Sequence, residues 1–125
     1  ARMGQYEKHI FVCTFGPWCK RDGDTEAIVK RLKRGVAAAG LTGKVRINKA
    51  GCLNQCGHGP MTVIYPQNRW YAGVTPDDVD EIVAEDLVND RPVARLLYRA
   101  APGDNKDLSR YPPEWVAEEQ AKKND

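Results

Sequence analysis

Apolar and polar residues follow two different periods in the first half of the chain. Residues 8–13, KHIFVC, are a short apolar run that is typical of a strand. From Asp24 onward, apolar residues recur every three or four positions, which predicts an amphipathic helix capped by Asp24 and ended by Gly40. The apolar stripe of this helix is Ile28, Val29, Leu32 and Val36. Residues 43–48, GKVRIN, predict a second strand, so that a helix joins two strands.

The next segment predicts a hairpin followed by a second helix. Residues 61–66, MTVIYP, and 69–74, RWYAGV, are rich in strand-forming residues and are separated by a turn. Thr75 and Pro76 are typical of a helix start, and the stripe that follows contains Val79, Ile82, Val83 and Leu87. The order β-α-β-β-β-α predicts an α/β protein with a mixed four-stranded sheet, the order of thioredoxin-like folds. A proline before a strand, as at Gly59-Pro60, is compatible with a cis peptide bond, but we expect the trans form.

Composition predicts one folded unit with a polar extension. The 125 residues suit a single domain, which we assign to residues 1–99. Residues 100–125 form a polar C-terminal tail that contains three prolines. Within this tail only residues 115–122 have a helical pattern, and Tyr111 and Trp115 are candidates for docking onto the domain.

Charge and hydropathy exclude several classes of partner. The chain has 19 Lys and Arg against 17 Asp and Glu, a net charge of +2, which lacks the basic excess that nucleic-acid binding needs. No apolar run is long enough to cross a membrane, and the first residues show no hydrophobic signal core. We therefore expect a cytoplasmic protein that binds neither nucleic acid nor membrane.

The four cysteines carry the candidate chemistry. Cys13 and Cys19 are separated by five residues, and Cys52 and Cys56 by three. Disulfides are rare in a reducing compartment, and the Cys-x-x-Cys motif of a thioredoxin-type dithiol is absent. Structural zinc fits the second pair, although the first pair is wide for it, and a 2Fe-2S cluster also takes four thiolates. Spacing alone leaves zinc and the cluster equally open.

Glycines and strand ends favour a site built from two loops. Gly51, Gly57 and Gly59 flank the second pair, where we expect them to allow positive φ angles and close backbone approach. The first cysteine loop follows the first strand, and the second loop follows the second strand. Both loops are therefore expected to meet at one edge of the sheet.

Two segments make the family recognisable. FVCTFGPWC and the later stretch NKAGCLNQCGHGPMTVIYPQNRWYAGVTPDDVDEIV resemble the thioredoxin-like 2Fe-2S ferredoxins, which are free bacterial proteins related to a subunit of respiratory complex I. The resemblance covers about residues 7–96. It implies a one-electron carrier without enzymatic activity that serves redox partner proteins and forms a homodimer. It also implies that Cys13 and Cys19 bind one iron and that Cys52 and Cys56 bind the other.

Other roles and residues fit the same pattern. An accessory subunit of a larger dehydrogenase or hydrogenase, a redox-sensing or protective partner protein, and a zinc-clamped module are the alternatives. We interpret His58 as a loop residue beside the site and not as a ligand, since four thiolates suffice. Trp18 is a candidate shield for the site, and Trp70 and Tyr71 are candidate dimer contacts. The basic run at 30–34 could attract an acidic partner, or it could be a solvated helix face.

Overall fold

Four strands and two packed helices form the body of the protein. The computed structural model describes residues 5–14, 23–51, 53, 58–99, 102–103 and 107–124. In chain order the elements are β1 (Lys8–Cys13), α1 (Thr25–Ala38), β2 (Val45–Ala50), β3 (Thr62–Tyr65), β4 (Arg69–Tyr71), α2 (76–88) and α3 (Pro113–Asn124). This order confirms the predicted β-α-β-β-β-α arrangement.

The sheet is mixed, and its strands lie in the order β2-β1-β3-β4. β1 pairs in parallel with β2, from Lys8 opposite Val45 to Cys13 opposite Ala50. β3 pairs antiparallel with β1 on the other side, and β4 pairs antiparallel with β3. Because β1 and β2 run in parallel, the segments that follow them leave the sheet on the same side, at the carboxyl ends of the two strands.

Helix α1 forms for the reasons that its sequence suggests. The side chain of Asp24 accepts a hydrogen bond from the backbone N–H of Ala27 at 3.0 Å, which caps the first turn. Gly40 has a φ of +73°, a left-handed conformation that suits the residue just beyond a helix end. A side chain at Gly35 would place its Cβ 2.7 Å from a methyl carbon of Val83, so this glycine allows the two helices to approach closely. The predicted apolar stripe of α1 is buried.

Helix α2 starts as predicted and then widens. Asp78 accepts hydrogen bonds from the backbone N–H and the hydroxyl of Thr75, at 2.8 and 3.0 Å. The segment begins as a 3-10 turn at Pro76–Asp78, continues as an α-helix over Val79–Glu81, and becomes a π-helix over Ile82–Val88. The predicted stripe is buried, but the π-helix also turns Asp86 into the interior, which the sequence pattern did not indicate.

The hairpin and the loop before it contain two cis prolines. The Gly59-Pro60 and Tyr65-Pro66 peptide bonds are both cis, so the expected trans form at Pro60 is wrong. The tertiary amide of an X-Pro bond reduces the preference for trans, and the surrounding fold then decides the isomer. At the turn, Asn68 has a φ of +59°, a conformation that asparagine adopts more readily than most residues.

Tyr71 lies in the core, which corrects its assignment as a candidate dimer contact. Its side chain is 0% exposed, and its hydroxyl donates a short hydrogen bond to Oδ2 of Asp86 while accepting one from the backbone N–H of Val93 at 3.0 Å. Burial, together with the hydrogen bond to Asp86, raises the pKa of Tyr71 well above its ordinary value. The tyrosine therefore stays protonated and donates throughout the physiological pH range.

Asp86 is the centre of a buried ionic network. Its Oδ1 accepts hydrogen bonds from Nζ of Lys8 at 2.8 Å and from Nη1 of Arg69 at 2.9 Å. Lys8 also donates to Oδ1 of Asp90 at 2.7 Å, and this contact holds the pKa of the Asp90 carboxyl below its usual range. The network ties α2 to the first residues of β1 and β4, at the opposite end of β1 from Cys13.

The tail contains a helix and a small apolar cluster of its own. Helix α3 spans Pro113–Asn124 and includes the segment with the helical pattern. Tyr111 is buried and packs with three neighbours in the tail, Leu108, Trp115 and Val116. The division of the chain at residue 99 stays a prediction. None of the helices in the described ranges has both the length and the apolar character needed to cross a membrane.

Replacing Asp86 tests the contribution of this network to stability. The Asp86→Ala substitution would leave the ammonium group of Lys8 buried beside one remaining carboxylate, and we expect it to lower the free energy of unfolding by about 3–5 kcal/mol. Urea denaturation followed by circular dichroism measures this change. The neighbouring Glu85→Ala, which removes a surface ion pair with Arg91, should cost less than about 1 kcal/mol. Equal losses in the two variants would contradict a special role for Asp86.

Candidate metal centre

Cys13 is the last residue of β1 and lies almost completely out of solvent. It is 1% exposed, and its backbone N–H donates to the carbonyl oxygen of Met61 at 3.1 Å. The other three predicted ligands, Cys19, Cys52 and Cys56, lie outside the described residues, as does Trp18. The geometry of the site is therefore defined by Cys13 and by the described residues that border the two cysteine loops.

The second cysteine loop begins beside Cys13. Ala50 is the register partner of Cys13 in the parallel pair, and its carbonyl oxygen accepts a hydrogen bond from the N–H of Thr14 at 3.1 Å. Gly51 follows Ala50 directly and precedes Cys52 in the chain. The parallel register thus starts both loops side by side, as the sequence predicted.

The same loop also ends beside Cys13. The carbonyl oxygen of His58 accepts from the N–H of Gly73 at 3.0 Å, and that of Pro60 accepts from the N–H of Val74 at 3.1 Å. These two hydrogen bonds attach residues 58–60 to the segment that follows β4. The next residue, Met61, accepts the hydrogen bond from the N–H of Cys13. Both ends of the second loop are consequently fixed by backbone hydrogen bonds on either side of β1.

Leu53 packs against the cluster that contains Cys13. It stands between Cys52 and Cys56 in the sequence and packs, partly buried, against the pair formed by Cys13 and Met61. A residue from inside the second cysteine pair therefore joins the same apolar cluster as a residue of the first pair. This packing is the strongest structural support for a common site.

The first loop ends against Pro60. A Cβ at Gly23 would lie 2.8 Å from Cγ of Pro60, a distance that only glycine avoids without a shift of the neighbouring ring. By contrast, Gly51 does not use the positive φ angles that glycine allows, and a Cβ built on it would meet no atom of the described residues within 4 Å. Close backbone approach is needed where the first loop returns to α1.

An apolar shell surrounds the Cys13–Met61 pair. The partly buried side chains packed against it are Leu53, Trp70, Ala72 and Tyr98. Burial raises the pKa of the Tyr98 hydroxyl, and the ring of His58 lies 5.1 Å from the ring of Tyr98. Trp70, which was predicted to be a dimer contact, thus contributes to this shell, and its indole N–H donates to Oδ1 of Asn68 at 2.9 Å.

The two histidines lie where the sequence placed them. His9 belongs to β1, shares a 2.8 Å hydrogen bond with Oδ1 of Asn48, and stacks on Phe11 with 4.3 Å between ring centroids. It is therefore a structural residue of the sheet. His58 borders the second cysteine loop. Within the part of the chain that the structure describes, no three His, Cys, Asp or Glu residues are grouped so that they could hold a metal ion.

The residues present fit a metal group bound by thiolates. A buried cysteine at a fixed strand end, a residue of the second cysteine loop (Leu53) packed against the Cys13–Met61 pair, and an apolar surround suit a soft thiolate site, which selects zinc or an iron–sulfur cluster. The sequence did not indicate that Met61 and Tyr98 belong to this surround. Tyr98 ends the short apolar stretch Leu96–Leu97–Tyr98, and that stretch was the available signal.

Comparison with known proteins distinguishes between these two groups. No protein family model matches the chain. A 2Fe-2S ferredoxin of Clostridium pasteurianum is 36% identical over 97 residues, which cover 70% of this chain and 92% of that protein. A 2Fe-2S ferredoxin of Aquifex aeolicus is 35% identical, with 72% and 87% covered.

Solved structures agree with this relationship. A thioredoxin-like 2Fe-2S ferredoxin from Aquifex aeolicus superimposes with a TM-score of 0.71 at 31% identity, covering 82% of this chain and 99% of the other. A second structure of the ferredoxin from that organism, the wild type at 1.5 Å resolution, gives a TM-score of 0.69 at 33% identity, with 76% and 99% covered. The chain belongs to the thioredoxin-like 2Fe-2S ferredoxin family. The thioredoxin-like fold and the family predicted from the sequence are confirmed.

The close contact at Gly23 can be tested by adding one methyl group. The Gly23→Ala substitution should force the first loop away from Pro60 and lower the free energy of unfolding by about 1–3 kcal/mol, the usual cost of overpacking. Chemical denaturation provides the measurement. Gly51→Ala, at the border of the other loop, meets no atom of the described residues within 4 Å and should change stability by no more than about 0.5 kcal/mol. If Gly23→Ala is equally neutral, the contact does not constrain the loop.

Proposed function

We propose that this protein is a one-electron carrier that holds a single 2Fe-2S cluster and shuttles electrons between a reductase and an acceptor protein in the cytoplasm. Membership of the 2Fe-2S ferredoxin family supports the cluster and the electron-transfer role. The observation that carries the proposal is the packing of Leu53, from between Cys52 and Cys56, against the buried pair of Cys13 and Met61. Ferredoxins are electron-transfer proteins and not enzymes, so the protein makes and breaks no substrate bonds itself.

The proposed ligands are Cys13, Cys19, Cys52 and Cys56. The position of Cys13 supports its assignment. Its backbone N–H donates a hydrogen bond to Met61, and the N–H of the next residue, Thr14, donates one to Ala50. Support for the other three is their sequence position in the two loops that border Cys13. By family resemblance, the first pair would bind one iron and the second pair the other.

The described residues have two tasks in this function, fixing the first ligand and excluding water. The bound group supplies a reversible one-electron change at iron. The sheet fixes the first ligand, because the N–H of Cys13 donates to Met61, just before β3, and the N–H of the next residue, Thr14, donates to Ala50 at the end of β2. The apolar side chains around Cys13 exclude water on that side, which changes the energy of adding a negative charge there.

Metal analysis and spectroscopy of the anaerobically purified protein test the proposal. We expect two irons and two acid-labile sulfides per chain, and a spin-half electron paramagnetic resonance signal after reduction, as a 2Fe-2S cluster requires. Colourless protein with one zinc per chain would contradict it.

Removal of one ligand tests the assignment of Cys13. The Cys13→Ala variant, which lacks a sulfur at the end of β1, should lose most of its iron and sulfide while its circular dichroism spectrum stays that of a folded protein. Thr14→Ser is the matched control at the adjacent buried position and should keep full iron content. Wild-type iron content in Cys13→Ala would remove Cys13 from the ligand set.

We further propose that the protein is a homodimer that associates through an aromatic face of the sheet. Tyr6, His9, Phe11 and Tyr65 form a row of rings in which the successive ring centroids lie 5.4, 4.3 and 6.4 Å apart. Tyr65 is 40% exposed although it is a large apolar side chain. Exposed aromatic groups of this kind are enriched at protein–protein interfaces, which supports a second copy as the occupant.

Sedimentation equilibrium tests the dimer. The Tyr65→Glu substitution places a charge in the aromatic row and should shift the protein from dimer to monomer. Val88→Glu places the same charge on an exposed apolar residue of α2 and should leave the dimer intact. A wild-type monomer at micromolar concentration, or an intact Tyr65→Glu dimer, would exclude this interface.

A further inference from the structure

The segment after α2 returns to the sheet and contacts the metal centre. Residues 96–98, here called the strap, lie along the free side of β4: the N–H of Ala72 donates to the carbonyl oxygen of Leu96 at 3.0 Å, and Tyr71 forms a bridge with Leu97. The N–H of Tyr98 then donates to the carbonyl oxygen of Trp70 at 2.7 Å. Backbone pairing therefore fixes the position of Tyr98 independently of its own side chain.

Tyr98 and Trp70 belong to the partly exposed layer around the Cys13–Met61 pair. Both side chains are partly exposed and both pack against the Cys13–Met61 pair, in which Cys13 is 1% and Met61 0% exposed. Removal of either ring would open the pair to solvent on that side.

We propose that the rings of Tyr98 and Trp70 form a cover that keeps water from Cys13 and thereby lowers the reduction potential of the centre. The predicted change in reduction potential rests on the proposed function, whereas the predicted change in the exposure of Cys13 does not. Reduction adds one negative charge to the site, and a low-dielectric surround disfavours the more highly charged state. Opening the cover should therefore make reduction easier and raise the potential. It should also expose the sulfur to reagents.

Three substitutions separate the cover from general effects on stability. Tyr98→Ser removes the ring but keeps the backbone hydrogen bond to Trp70. Tyr98→Phe keeps the ring and removes the hydroxyl, and Val88→Ser is an apolar-to-serine change at an exposed residue of α2. Trp70→Ser opens the same cover from β4 and serves as a second test if Tyr98→Ser does not fold. Circular dichroism establishes the folded state of each variant.

Two measurements are made on the full-length chain. In a redox titration of the cluster-loaded protein, Tyr98→Ser should titrate at a higher potential than the wild type and lose iron to a chelator several-fold faster. In the metal-free protein, iodoacetamide should alkylate Cys13 several-fold faster in Tyr98→Ser, as read by fragmentation mass spectrometry that separates Cys13 from Cys19. Tyr98→Phe and Val88→Ser should behave as the wild type in both experiments.

Two results would overturn the cover. One is an unchanged potential and an unchanged alkylation rate in Tyr98→Ser and Trp70→Ser; the other is a Tyr98→Phe variant that behaves as Tyr98→Ser. A protein that binds no iron would defeat the proposed function instead. The alkylation of Cys13 in the metal-free chain would still decide whether the rings cover the sulfur.

Discussion

The backbone of Cys13 is held on both sides by the sheet, and the site depends on this constraint. On one side Cys13 bonds Met61 of the chain leading into β3, and on the other Thr14 bonds Ala50 at the end of β2. The pairing of β1 with β2 and the pairing of β1 with the chain leading into β3 therefore both reach the end of β1. The first cysteine loop begins there, and the second begins beside it, after Ala50. A sulfur placed in this way is positioned by the fold before any metal binds, which reduces the entropy that ligation must overcome.

The first residue of β1, at the opposite end from Cys13, is held by salt bridges. Lys8, at the first residue of β1, is held by Asp86 and Asp90, so β1 is attached to α2 at its start and ends at Cys13, the first of the proposed ligands. Removing one partner from such a buried pair is costly because the remaining charge stays desolvated. The network therefore stabilises the strand that ends at Cys13.

Patterns within a single segment predicted most of the fold, and contacts between distant segments account for what was missed. The strand at residues 8–13 follows from a short apolar run, the Asp24 cap from its residue type, and the stripes of both helices from the 3.6-residue period, all of which the sequence displays directly. The burial of Tyr71 does not follow from such a pattern. Its partner Asp86 lies 15 residues later, and only the π-helix turns the Asp86 side chain into the interior. The family was recognisable because the spacing of cysteine, glycine and proline around the second loop is specific. The position of Tyr98 beside Trp70 was not recognisable from the sequence, because it depends on backbone hydrogen bonds between the strap and β4.

The central claim is that Cys13, at the end of β1, ligates an iron pair together with cysteines of both loops. The most direct measurement is a diffraction experiment on anaerobically grown crystals with anomalous data collected at the iron absorption edge. The account predicts two adjacent iron peaks, one of them bonded to the sulfur of Cys13, beneath the rings of Tyr98 and Trp70. A single metal peak, an anomalous signal of zinc, or an iron pair that does not contact Cys13 would contradict it.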